Sequence, residues 1–262
     1  MRTPNYVVGR GKLYFDQFLA GTKTFSGNER YLGNSPELSM SQDEETLDHY
    51  SSDSGIKVKD ATVELQNDQS MSFSLDDISK ENLAMWFRGQ AQDNAVSAVV
   101  DGTTTVAAVA KGTYIQLGLA DGNPIGARNV SGVTCVNETQ ASAAVTAATN
   151  FEVDAVTGRI YIIEDAPDID EGDELIFTYD AAVGTEEIVI AENEIIEGRL
   201  IFVSDNAAGE NRDYIWPYVR VRPDGDFALK GDDWQAMTFS GEVLKLNDST
   251  ERQYIVKRPA AA

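Results

Sequence analysis

His49 is the only histidine in the 262 residues, so a histidine metal ligand, a general base or a Ser-His-Asp triad would have to use it. It lies in LDHYSSDSGIKVKD, residues 47–60, between acids on its N-terminal side and a flexible Ser-Ser-Asp-Ser-Gly run. Ser51, Ser52 and Ser54 are too close to it in sequence for triad geometry and read as loop residues. The only cysteine, Cys135, rules out an internal disulfide and a cysteine-based metal site. In SGVTCVNE it reads as a small buried apolar residue of a short strand. The acidic run EDAPDIDEGDE, Glu164 to Glu174, lacks the residue order of an EF-hand and reads as a solvated turn, with adventitious calcium its other reading. No glycine-rich phosphate loop is present, and among 43 acids nothing singles out a catalytic pair. The expectation is a protein with no enzymatic activity, no cofactor and no metal site.

Charge is the strongest global signal. The 43 acids against 21 bases give a net charge of -22, spread along the chain rather than gathered in a tail. Affinity for nucleic acid is disfavoured, because it depends on Lys and Arg neutralising phosphates. No apolar run of about 18 residues is present, so no membrane span is expected. The opening MRTPNYVVGRGKLYF carries charges and glycines where a secretion signal needs an apolar core, which predicts folding in the cytoplasm of synthesis.

Strand signals dominate the elements that would position any site. From Ala61 the odd positions carry Ala61, Val63, Leu65, Met71, Phe73 and Leu75, and the even positions are polar. This alternation predicts one long strand, or two collinear ones, with the odd face buried and the even face wet. Ile56 and Val58 run in the opposite phase, which predicts a bulge or a bend near Lys59 and Asp60. One helix is expected over about 79–88, with Ser79 as N-cap, Ile78 and Leu83 as a hydrophobic staple and Gly89 as its stop. Its core-packing face is read as Leu83, Trp86 and Phe87, at i, i+3, i+4 spacing. After Gly89 the chain becomes rich in Ala, Gly, Thr and Val, the pattern of short strands joined by turns. The expected organisation is a discontinuous core domain, 1–91 plus 186–262, interrupted by a β-rich insertion over 92–185. Pro217, inside YIWPYVRVRP, predicts an edge strand or a kink.

The order of these segments resembles the major tail tube protein of siphophages, tailed phages with long non-contractile tails. The resemblance rests on the Leu32-Gly33-Asn34 turn, the acidic strand leading into LDHYSS and the Asn82-Leu83-Ala84 helix ending at Gly89. It extends to EGRLIFVSDNAAGENRDYIWPYVRVRPDG and SGEVLKL, and covers roughly residues 5–92 and 190–248. It implies a mainly β fold, a tail-tube type β-sandwich or barrel with one packed helix. A minimal subunit of that type needs no insertion, so 92–185 is read as an outward-facing subdomain, with strands added to the core sandwich as the other reading. It implies a structural virion protein, made in the host bacterial cytoplasm, whose homo-hexameric rings stack into a tube. Its other partners would be the tape measure, terminator and distal tail proteins, and DNA would pass through without specific binding on its way into the host. The same resemblance makes the connection from Asp43 to Asp60 a docking arm between rings, with Leu47, Asp48, His49, Tyr50 and Asp53 as its contacts. The even-face residues Glu64, Gln66, Asp68, Ser70 and Ser72 become the candidate lining of the channel, where carboxylates and hydroxyls repel and hydrate passing phosphate. The alternative reading is a β-sandwich adhesin or carbohydrate-binding module.

Overall fold

A computed structural model describes residues 5–53 and 55–258. In chain order the first elements are β1 (Gly11–Gln17), β2 (Arg30–Tyr31), β3 (Glu37–Ser51), β4 (Val58–Leu75) and helix α1 (Lys80–Trp86). Next come β5 (Gln90–Val96), β6 (Val99–Val106), β7 (Tyr114–Gln116), β8 (Val130–Asn137) and β9 (Ala143–Val145). They are followed by β10 (Phe151–Asp154), β11 (Arg159–Ile162), β12 (Leu175–Ala181) and β13 (Gly184–Ile190). The chain ends with β14 (Ile196–Ser204), β15 (Arg212–Asp224), β16 (Met237–Val243) and β17 (Tyr254–Lys257). The protein is mainly β, and its chain divides into two compact units. One comprises the residues up to Gln92 together with those from Ile188, and the other is Asp93–Glu187.

The first unit is built on an antiparallel sheet ordered β2-β1-β14-β15-β16-β4-β3, with β17 added to β15. None of the sheets closes into a barrel among the described residues. Alternate residues of the central strands build its core, including Leu13, Phe15, Phe73, Leu75, Leu200, Trp216, Val219 and Phe239. Each such side chain contributes about 1.5–3 kcal/mol by leaving water. Phe73 and Phe239 are cross-strand partners and stack with centroids 5.1 Å apart.

Three sequence expectations change here. The odd face of β4 is buried only at Met71, Phe73 and Leu75, while Val63 and Leu65 are each 58% exposed. The alternation is real, but no element covers its N-terminal half. Of the two placements expected for Pro217, an edge strand or a kink, the edge is not found: the residue sits in a central strand. It falls in the register shift between β14 and β15, where Gly198 pairs with Val219 and Leu200 with Trp216, so a bulge accommodates its missing N–H. The helix is capped by Ser79 as expected, but its buried residues are Asn82, Ala84 and Met85. Leu83 and Trp86 pack against the core half-buried, and Phe87 is 37% exposed and stacks edge-on with Trp86.

Asn82 is drawn inward by hydrogen bonds. Its amide donates to the carbonyls of Leu32 and Asp77, and its oxygen accepts from Arg30. Burial pulls the Arg30 pKa down, opposed by the nearby carboxylates of Glu81 and Asp77. The helix ends in a Schellman pattern, with Gly89 N–H donating to Ala84 and Arg88 N–H to Met85. Arg88, not Gly89, holds the left-handed conformation, at φ 54°. Gly89 is needed for space, because a Cβ there would strike the carbonyl of Ile190.

The second unit has a four-stranded sheet, β6-β12-β8-β9, and a three-stranded sheet, β10-β11-β7. Both contribute to one core that includes Val130, Cys135, Phe151, Ile160, Leu175 and Phe177. The hairpin of β10 and β11 turns at Thr157-Gly158, with Gly158 at φ 66°. The acidic run after it folds around Asp173, whose carboxylate accepts from Asp170 N–H and from the amides of Asn137 and Gln140. Its charge therefore organises a loop.

Candidate functional site

Two sets of residues stand out, an extended arm and a hydroxyl-rich sheet face. The arm is the outer part of the β3–β4 hairpin. What the sequence suggested as a connection from Asp43 to Asp60 is mostly strand, because β3 continues to Ser51 and β4 begins at Val58. Between them, the described residues Ser52, Asp53 and Gly55 to Lys57 are irregular. From Asp43 to Asp68 no described side chain is buried.

The arm carries two register shifts against β3. One lies opposite His49 and Tyr50 and leaves Asp60 unpaired, within the stretch where a bulge was expected; the other leaves Leu65 unpaired. The Leu65 bulge reverses the phase of β4 relative to an unbroken β3. Beyond it Leu47 pairs with Val63, and His49 with Ala61. A small apolar strip thus appears on the side of the hairpin that nearer the body carries Ser39, Ser41 and Asp43.

Polar contacts hold the strands of the arm together. Lys59 Nζ lies 2.6 Å from the Asp48 carboxylate, which also accepts from the Thr62 hydroxyl at 3.0 Å. The hydrogen bond from Lys59 is the main cause that holds the Asp48 pKa below the usual carboxylate value. His49 Nδ1 is 2.5 Å from Asp60 Oδ1, both exposed, an arm contact that leaves the ring with a structural partner. Tyr50 is 47% exposed and pairs with Lys59. Asp53 lies in the turn, exposed, and Ser54 lies outside the described residues.

The second set lies nearer the body, where β3, β4, β16 and β15 align in rows. One row runs Ser41, Ser70, Glu242, Arg220, and the next runs Ser39, Ser72, Ser240, Arg222. The Ser41 and Ser70 hydroxyls are 2.7 Å apart. Asp68 pairs with Asp43 and Gln66 with Glu45 on the same face. Glu64 leaves this set, since past the Leu65 bulge it pairs with Thr46, which alternates with Glu45 to the other side of β3. The sequence alone did not point to Ser39, Ser41, Ser240, Arg220 and Arg222. The Ser39 and Ser41 alternation in ELSMSQ was a usable signal, but cross-strand rows depend on pairing between distant segments.

A concavity of about 680 Å³ lies at the root of the arm, lined by Leu13, Leu38, Met40, Phe202, Tyr214 and Trp216. Arg10 and Glu37 are the charged groups among its lining residues. Among the described residues, no group of three or more His, Cys, Asp or Glu side chains is placed to hold a metal ion. No helix is long and apolar enough to cross a membrane among them.

A family profile matches residues 6–253, a span that takes in the arm, the hydroxyl face and the second unit. The chain belongs to the UCP028589 family. That family is described as a protein of unknown function, and no curated protein matches the chain. For this UCP028589 chain the arm and the face are therefore interpreted from their own chemistry.

Proposed function

We propose that the protein is the repeating subunit of a phage tail tube, a structural protein whose copies close into rings of six that stack around a channel for DNA. The arm is the observation that carries this reading. A strand that buries Met71, Phe73 and Leu75 continues beyond the sheet with Val63 and Leu65 bare, at a cost in exposed apolar surface that only a partner can offset. The outer edge of β3 is also unpaired along the sheet, as pairing between copies would require.

The hydroxyl face suits the channel. Across β3, β4 and β16 its rows hold serines and acids, and Arg220 and Arg222 stand only at their β15 end, outside that lining. Such a surface hydrates readily and offers passing phosphate few free cations. In this reading the second unit faces outward from the tube, and the other tail proteins cap its ends. Negative-stain microscopy and sedimentation of the purified chain at rising concentration test it: rings and tubes of one diameter support it, and a chain that stays monomeric throughout sinks it.

A second reading, a glycan-binding module, draws on the second unit alone. Tyr114 is 69% exposed and its ring centroid lies 4.9 Å from that of Tyr161 on the adjacent strand. Binding to a glycan array by the full chain, lost in Tyr114→Ala, would favour it.

A further inference from the structure

The arm is strongly acidic. Between Asp43 and Asp68 it holds eight acidic residues against Lys57 and Lys59. Asp48 is engaged by Lys59 and Asp60 by His49, both within the arm. Asp43, Glu44 and Glu45 form a run of exposed carboxylates on β3. In a chain of net charge -22, two such arms laid together repel, so the arm calls for a cationic surface.

The first unit has a hollow of this kind. About 390 Å³ in volume, it is lined by Arg88, Arg220 and Arg222 with Ile195, Ile196 and Val221, and no acidic residue lines it. Arg88 donates to the main-chain carbonyls of Asn193 and Glu194, neutral acceptors that leave its charge in place. Arg222 is 58% exposed and only loosely paired with Glu242, while Arg220 pairs with Glu197. Ile195 is 57% exposed and adds an apolar rim.

The strand registers put hollow and arm on opposite sides of one line. The row Gln42, Gln69, Val243, Val219 crosses the sheet. The arm leaves from one side of this row, and Arg220 and Arg222 follow Val219 on the other. A copy thus offers carboxylates at one end and guanidinium forks at the other, which is a heterologous contact that repeats without closing on itself.

We propose that the acidic arm of one copy seats in the arginine hollow of a second copy, with Asp43 and Glu45, which share one side of β3, facing Arg88 and Arg222. This rests on the reading of the chain as a stacking subunit and names the surface that receives the arm. The test is a charge swap followed by sedimentation and microscopy at low salt. Arg222→Glu alone, and Asp43→Lys with Glu45→Lys alone, should each raise the concentration needed for stacking by on the order of tenfold. A chain carrying all three changes should recover stacking, and added salt should weaken the wild-type stack. Circular dichroism and urea unfolding matching wild type establish that each variant is folded. Arg222→Glu stacking as readily as wild type, or a combined variant no better than the single ones, overturns the inference while leaving the stacking subunit standing. A folded wild-type chain that never associates overturns both.

Discussion

Leu47 and Val63 are partners across the arm and remain 61% and 58% exposed, whereas Phe73, on the same strand as Val63, is 1% exposed. The difference separates an exposed stretch from a core stretch within one strand. Val63→Ser combined with Leu47→Ser should change the urea midpoint by no more than about 0.5 kcal/mol of stability for each site, since neither side chain is buried in the single chain. Phe73→Ala should cost about 3–5 kcal/mol through the cavity it opens beside Phe239. If the arm docks on another copy, the double serine variant stays folded and loses stacking. A fully assembling double variant would remove the arm from the interface.

Asp16 predicts a second effect, on the loop between β1 and β2. Its side chain is 2% exposed, and its carboxylate accepts from Ser26 N–H and hydroxyl on one oxygen and from Gly27 N–H on the other. Replacing it with alanine strands these donors next to the sheet, a loss of about 1.5–3 kcal/mol. Urea unfolding should show that drop, and Ser26→Ala, which removes only the hydroxyl, should cost less.

The sequence revealed local chemistry better than coverage. Ser79 capping the helix and the alternation along β4 depend on neighbours within a few residues, and both appear as expected. Which half of that alternation is buried depends on β16 arriving from more than 160 residues away, and it covers Gln69–Leu75 only. The helix face was misjudged for a similar reason: Asn82 looks surface-bound until Leu32 and Arg30 supply its partners. Acidity and length of the arm were legible, whereas the Leu65 bulge that flips its phase was not. Nothing in VELQND marks a bulge, because it arises from matching strands of unequal length.

Cys135 gives a chemical prediction. It is 3% exposed in the core of the second unit, and burial pushes its thiol pKa up to about 12. Since the thiolate is the reactive form, an aromatic disulfide reagent at pH 8 should leave the folded chain unlabelled and modify it fully in urea. Rapid labelling of the folded chain would show that the core opens on the timescale of the assay.

Asp173 sets a pH dependence for the same unit. Asp170 N–H chiefly, then the amides of Asn137 and Gln140, hold its pKa below the usual carboxylate value despite the opposing effect of burial. A depressed folded-state pKa means that the contribution is complete above the unfolded value, about pH 4, and disappears as pH falls through the folded value. The stability of the second unit should therefore decline with acid below about pH 4. Asp173→Asn keeps the side-chain shape, removes the titrating charge and sets two amide donors against Asn137 and Gln140. It should be less stable than wild type at neutral pH, with the difference shrinking as the wild-type carboxylate protonates. The measurement is the urea midpoint, followed by the near-ultraviolet signal, from pH 6 to pH 3. Parallel curves for the two proteins over that range would show that the loop is organised by something other than the Asp173 charge.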